Sequence, residues 1–223
     1  MTFTEALQYF REHLIELNAD IYQYKTVFLD KPGNRSVISK AGGLFFEQYH
    51  KFFWNHLTLV LSRLTDRRYS GQPRKDGSPP KHENLVIETL ISMARTAEMK
   101  SAVTAESIYE DVIAKLTDFR EARNKVIAHT DQEWFMEKES IVLHLSEAEG
   151  AMHGLEQMIR MLSLEHSGTW DDLKPTLSDD AYRLMFVLRE GLILEHLEDE
   201  THRSYEADTS YGFIAPIERP KSE

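Results

Sequence analysis

Residues 108–131 read Ile108-Tyr-Glu-Asp-Val-Ile-Ala-Lys-Leu-Thr-Asp-Phe-Arg-Glu-Ala-Arg-Asn-Lys-Val-Ile-Ala-His-Thr-Asp131. A helix advances about 100° per residue, which gathers Ile108, Tyr109, Val112, Leu116, Phe119, Val126 and Ile127 into one apolar stripe. Arg123 falls near the centre of that stripe, where a Leu would be expected. Burying an unpaired guanidinium costs several kcal/mol. Arg123 therefore either pairs with an internal carboxylate, such as Glu88 or Glu110, or faces a cleft or subunit interface that an anion can reach.

Segments of the same amphipathic kind lie on both sides of this one. A first helix is expected over about residues 4–27, with Leu7, Phe10, Leu14, Leu17 and Ile21 at helical spacing, before Asp30-Lys-Pro-Gly-Asn34 breaks it. Ser36 is placed to cap a second, long helix through Phe45, Tyr49, Phe52, Phe53, Leu57, Val60 and Leu64, ending near Arg67. Its aromatic run reads as core rather than as a base-stacking platform. Residues 67–81 form the clearest loop, rich in Gly and Pro. A third helix is expected over about 83–99 and a fourth over about 105–128, with Thr104 as its cap. After a short extended piece over 133–145, Ser146-Glu-Ala-Glu149 has capping-box spacing and opens a fifth helix to about His166. Ser178 opens a sixth through Tyr182, Met185, Leu188 and Leu192.

No window shows the repeated alternation of strands, so the expected fold is all-α, an antiparallel helical bundle of about six helices. It divides into a bundle over residues 1–167, an additional acidic helix over 168–202 packed on it, and an irregular tail over 203–223.

Composition narrows the function. The 223 residues contain no Cys, which removes disulfide scaffolds, Cys-ligated zinc and thiol nucleophiles. Met-Thr-Phe-Thr-Glu is no basic signal-peptide start, and no run of about 18 apolar residues escapes interruption, so a cytoplasmic chain without a membrane partner is expected. The net charge of −11 is unevenly placed. Residues 1–129 hold 18 Lys and Arg against 16 Asp and Glu, a sum of +2, and residues 130–223 hold 8 against 21, a sum of −13. An anion site in the first part is compatible with that distribution, and the acidic remainder either keeps stray polyanions away or meets a basic partner.

Arg123-Asn124, followed after Lys-Val-Ile-Ala by His129, resembles the motif of HEPN domains, an Arg with a polar neighbour and four to six residues before a His; here the gap is five. With Leu61-Ser-Arg-Leu-Thr-Asp66 at the end of the second helix, the chain looks most like the abortive-infection branch called AbiU-type, over about its first 165 residues. The resemblance implies a metal-independent endoribonuclease, a HEPN-like bundle without cofactors, and the toxin of a defence or toxin–antitoxin pair with a possible cognate antitoxin. His129 would transfer protons near neutral pH, Arg123 would hold the phosphorane oxygens, and Asn124 would orient the phosphate or His129. The basic loop through Arg67, Arg68, Arg74 and Lys75, together with Lys125, would gather RNA phosphates.

Six residues along an ideal helix turn through about 600°, leaving Arg123 and His129 roughly 120° apart in direction and about 9 Å apart in rise. Either the helix distorts or ends near Ile127, or a second copy completes the site across a two-fold axis; the resemblance favours such a homodimer. Two other function classes stay open: a non-catalytic nucleotide-binding or interaction module, and a metal-dependent bundle enzyme. The latter would use Glu47-x-x-His50 and the near match Asp199-x-x-His202.

Overall fold

Thr2 starts the first helix with both halves of a capping box. Its Oγ1 accepts the Glu5 N–H at 3.2 Å, and the Glu5 carboxylate accepts the Thr2 N–H at 2.7 Å. These bonds favour the charged carboxylate and hold Glu5 below the usual range. The computed structural model describes residues 1–31, 33–69, 83–124, 141–170 and 179–207, with side chains as far as residue 196. Helix α1 (Phe3–Phe28) buries Leu7, Phe10, Leu14, Leu17 and Ile21, as their spacing requires, and packs against α2 (Asn34–Leu64).

The turn between α1 and α2 closes on Asn34. Its buried side-chain amide donates to the carbonyls of Thr26 and Val27, both at 2.9 Å, occupying acceptors that the end of α1 leaves open. The helix therefore begins two residues before the expected cap Ser36, with Gly33 at φ 92° supplying the left-handed turn. Gly42 interrupts the helical dihedrals and kinks α2.

Beyond the kink, Phe46, Phe53, Leu57, Leu61 and Leu64 face the core, whereas Phe45 and Phe52 are 66% and 67% exposed. The expectation of an all-core aromatic run is corrected accordingly. Measured from Leu57, the core residues Leu61, Leu64, Phe46 and Phe53 all fall within about 40°, and Phe45 and Phe52 lie about 120–140° away. Tyr49 is half-buried and stacks on Phe28.

Helices α3 (Ile87–Thr96) and α4 (Ala102–Lys115) are shorter than their sequence-based bounds. Thr104 lies inside α4; the helix start is capped by Glu165, whose carboxylate accepts the N–H groups of Lys100 and Ser101 at 2.7 and 2.8 Å. The long fourth helix divides at Leu116 (φ −95°, ψ 14°), whose N–H is shared between the carbonyls of Val112 and Ile113. Thr117 also turns its hydroxyl back to the Ala114 carbonyl at 2.9 Å. A separate short helix, α5 (Thr117–Ala122), follows and packs on α2 through Phe119.

Helix α6 (Leu145–Ser167) starts one residue before Ser146, and the expected capping box is absent: Glu149 pairs instead with Lys25 of α1 at 2.8 Å. Helix α7 (Asp180–Ala207) packs on α2 and α1 and continues past residue 202 into the stretch expected as tail. Ser178, residues 133–140 and the rest of the tail lie outside the described residues.

The protein is thus an all-α bundle, with seven helices among the described residues. The single β feature there is an isolated antiparallel bridge between Tyr69 and Glu83. Among those residues no helix is long and apolar enough to cross a membrane.

The most extensive helix pairing among the described residues is α4 against α6. A Cβ added at Gly154 would sit 2.7 Å from a Val112 methyl, and Val112 is fully enclosed and stiff at χ1. A Cβ at Gly150 would meet only the flexible stem of Lys115 at 3.4 Å. Gly154→Ala should destabilise the protein by about 1–2 kcal/mol in urea denaturation despite its better helix propensity, through overpacking. Gly150→Ala should be neutral or stabilise by up to about 1 kcal/mol.

Candidate functional site

The division at Leu116 re-aims the chain so that the end of α5 meets the end of α2. Arg123 closes α5, and its Nη1 lies 2.6 Å from Asp66 Oδ2, just past the last turn of α2. The guanidinium is 22% exposed and the carboxylate 39%. Its Nε donates to Asn124 Oδ1 at 3.1 Å. Among the described residues two of the five guanidinium N–H groups are thereby used, which leaves three donors on one plane.

The partner of Arg123 is thus Asp66, rather than Glu88 or Glu110. Glu88 accepts the backbone N–H of Arg68 at 2.8 Å. Asn124 braces Arg123, an arrangement its type and position permit but do not specify. Arg123 and Asn124 lie in a wider π-type turn that continues from α5, and the expected end near Ile127 lies outside the described residues.

Tyr109 of α4 supports the same corner. Its hydroxyl donates to the Thr65 carbonyl at 3.2 Å, satisfying an acceptor at the end of α2. Thr65 is fully buried, and its own hydroxyl donates to the Leu61 carbonyl at 2.8 Å. Burial pushes the Tyr109 phenol up to about 12; Arg120 opposes that shift, and Glu88 and Asp66 add to it.

The basic segment splits into different roles. Arg68 is committed internally: Nε pairs with Glu83 at 2.6 Å, Nη1 reaches Ser92 Oγ, and its guanidinium lies over the Tyr69 ring. The Arg67 side chain is exposed beside Asp66, while its carbonyl accepts from Asn84 at 3.0 Å. Arg74, Lys75, Lys125 and His129 lie outside the described residues, as do Val126 and Ile127 of the expected stripe.

The spacing Glu47-x-x-His50 serves other contacts. Glu47 pairs with Lys51 at 2.7 Å, and His50 Nδ1 lies 3.0 Å from the Tyr24 hydroxyl, which accepts from Trp54 Nε1 at 3.3 Å. Desolvation, then the nearby Arg35 and Lys51, hold the His50 pKa below its usual value, consistent with a neutral ring accepting the tyrosine proton. The side chains of Asp199 and His202 lie outside those described.

The chain that carries this corner of Arg123, Asn124 and Asp66 is matched by a family model. The model of the AbiU2 family of HEPN domains covers residues 2–184. The chain belongs to that family. Searches of curated proteins and of solved structures return no match. The AbiU2 match extends beyond the first 165 residues into the opening of α7.

The residue that reading by pattern left without a role is Asp66. A signal for it exists: an acidic residue just past the end of a helix whose Leu61 and Leu64 are core, opposite an Arg in an apolar stripe. Because both partners are partly exposed, an Asp66→Asn and Arg123→Gln double-mutant cycle should give a coupling of about 1 kcal/mol that shrinks with added salt. Folding favours the neutral Tyr109 phenol. Its contribution should therefore be intact below pH 10 and be lost as pH rises toward about 12. Tyr109→Phe should remove the last step of an alkaline tyrosinate absorbance titration.

Proposed function

We propose that the protein is a metal-independent endoribonuclease, the toxin of a phage-defence or toxin–antitoxin pair, acting as a homodimer. The observation that carries this reading is the partly exposed guanidinium of Arg123, braced by Asp66 and Asn124 six residues before His129, with three N–H groups unused among the described residues. A planar donor fork held in advance suits the equatorial oxygens of a phosphorane, because no reorganisation is needed as charge develops. In the proposed reaction one imidazole removes the 2′-hydroxyl proton, and the alkoxide attacks the adjacent phosphorus. The bond to the 5′-oxygen breaks, and that oxygen takes a proton from an imidazolium. The products are a 2′,3′-cyclic phosphate and a 5′-hydroxyl. His129 of each copy would serve these steps, and Arg67 would contact the flanking phosphate.

An exposed stripe supports the homodimer. Phe45, Phe52 and Leu59 recur every seven residues on the outer face of α2, and all three are exposed. Continued one more interval, that line reaches Asp66. Pairing two such stripes in parallel about a two-fold axis would bury apolar surface and bring both Arg123 corners to the same end.

The ion pair to Asp66 equally suits a second reading, a non-catalytic binding module in which Arg123 is structural. RNA cleavage in excess chelator separates the two. Wild type should cleave, and Arg123→Ala and His129→Ala should each lose at least about 100-fold. Cleavage by none of the three would favour the binding module, and loss on chelation would favour metal chemistry. Light scattering should show a dimer that Phe52→Glu converts to a less active monomer; a fully active monomer would sink the shared-site arrangement.

A further inference from the structure

At the opposite end of α2 from Arg123, roughly 40 Å away along the helix, a groove of about 810 Å³ separates the first turns of α2 from α7. Lys31, Lys40 and Arg189 line it, and among the described residues no Asp or Glu does. In a chain of net charge −11, three cations around one cleft, with no carboxylate among its described lining residues, are an exception to the general field. Two of them are held by uncharged groups. The Arg189 guanidinium donates to Asn34 Oδ1, and Asn34 is itself locked to the end of α1; Lys31 Nζ sits 5.0 Å above the Tyr182 ring. Such contacts fix position without adding a counter-charge.

The rest of the groove has a different character. Val37, Leu192 and Ile193 give it an apolar wall. The start of α2 adds to the positive side, because it has no side-chain cap and no acidic residue in its first turn. A volume in the usual range of small-molecule clefts, one apolar wall and convergent cations together describe an amphipathic anion.

We propose that this groove binds an organic phosphate of nucleotide size, with the phosphates on Arg189, Lys31 and Lys40 and the apolar body against Leu192 and Ile193. A carboxylate ligand would use the charges less fully, since several phosphate oxygens can meet several cations at once. The site is separate from the Arg123 corner and stands whether or not that corner cleaves RNA.

Calorimetric titration of the full chain with ADP and with inorganic pyrophosphate tests it. ADP should bind once per chain and more tightly than pyrophosphate, which lacks the apolar body. Arg189→Ala and Lys40→Glu should each weaken ADP by about tenfold or more, and Arg123→Ala should leave it unchanged. Arg189→Ala also removes the bond to Asn34; if that variant fails to fold, the exposed Lys40→Glu carries the test. A 5′-phosphorylated RNA trinucleotide that displaces ADP would identify an RNA end as the source, and one that does not would identify a free nucleotide; both outcomes keep the phosphate-ester site. No ADP binding at millimolar concentration, or binding that neither groove variant weakens, would overturn the proposal. So would binding abolished by Arg123→Ala.

Discussion

A guanidinium in the middle of an apolar stripe cannot be left without a counter-charge, and much of the fold around Arg123 can be read as the answer to that constraint. An uninterrupted fourth helix would continue along the axis of α4 and carry Arg123 with it. Instead the chain breaks at fully buried Leu116, and Thr117 and Phe119 direct α5 onto α2. That turn sets the end of one helix beside the end of another and brings Asp66 within 2.6 Å of Arg123. Tyr109, donating to Thr65, fixes the level at which the ends meet. The polar corner is therefore a product of how α2 and α5 terminate, and the core on either side is ordinary.

Periodicity made much of this legible. The line of α1 from Leu7 to Ile21 is buried residue by residue as its spacing demands, because α1 is a regular helix with a strong cap and neighbours on several sides. The same reasoning failed for Phe45 and Phe52, since a helical pattern gives relative directions and not the absolute phase. Leu57, Leu61 and Leu64 set that phase, and the kink at Gly42 removed any help from the residues before it. Caps were misread for a related reason. Ser36, Thr104 and Ser146 are all suitable residue types, but α2 starts after Gly33 without a side-chain cap, and at the start of α4 the distant Glu165 took over the work.

For the candidate site, the local string marked Arg123 and Asn124, because unusual residues in an apolar stripe stand out in one dimension. Asp66 lies 57 positions earlier in the chain, and nothing local links it to Arg123. The basic loop shows the converse: Arg67 and Arg68 are equivalent as charges in the sequence, yet one is exposed and the other is enclosed by Glu83, Ser92 and the Tyr69 ring. Formal charge counts do not distinguish a solvated cation from a spent one.

The carboxylate of Glu165 has a consequence for how the molecule opens. It belongs to α6 but accepts the amides of Lys100 and Ser101, the two residues that lead into α4, and lower down the same two helices interlock where Gly154 meets Val112. Fraying of α4 from its start therefore requires breaking bonds to α6, and separating the pair exposes the tightest seam of the core. Helices that would ordinarily loosen one at a time are tied at both levels, so α4 and α6 are expected to open as a single cooperative unit. The chain beyond α4, with its helix break at Leu116 and the Arg123 corner, hangs from the rigid end of that unit.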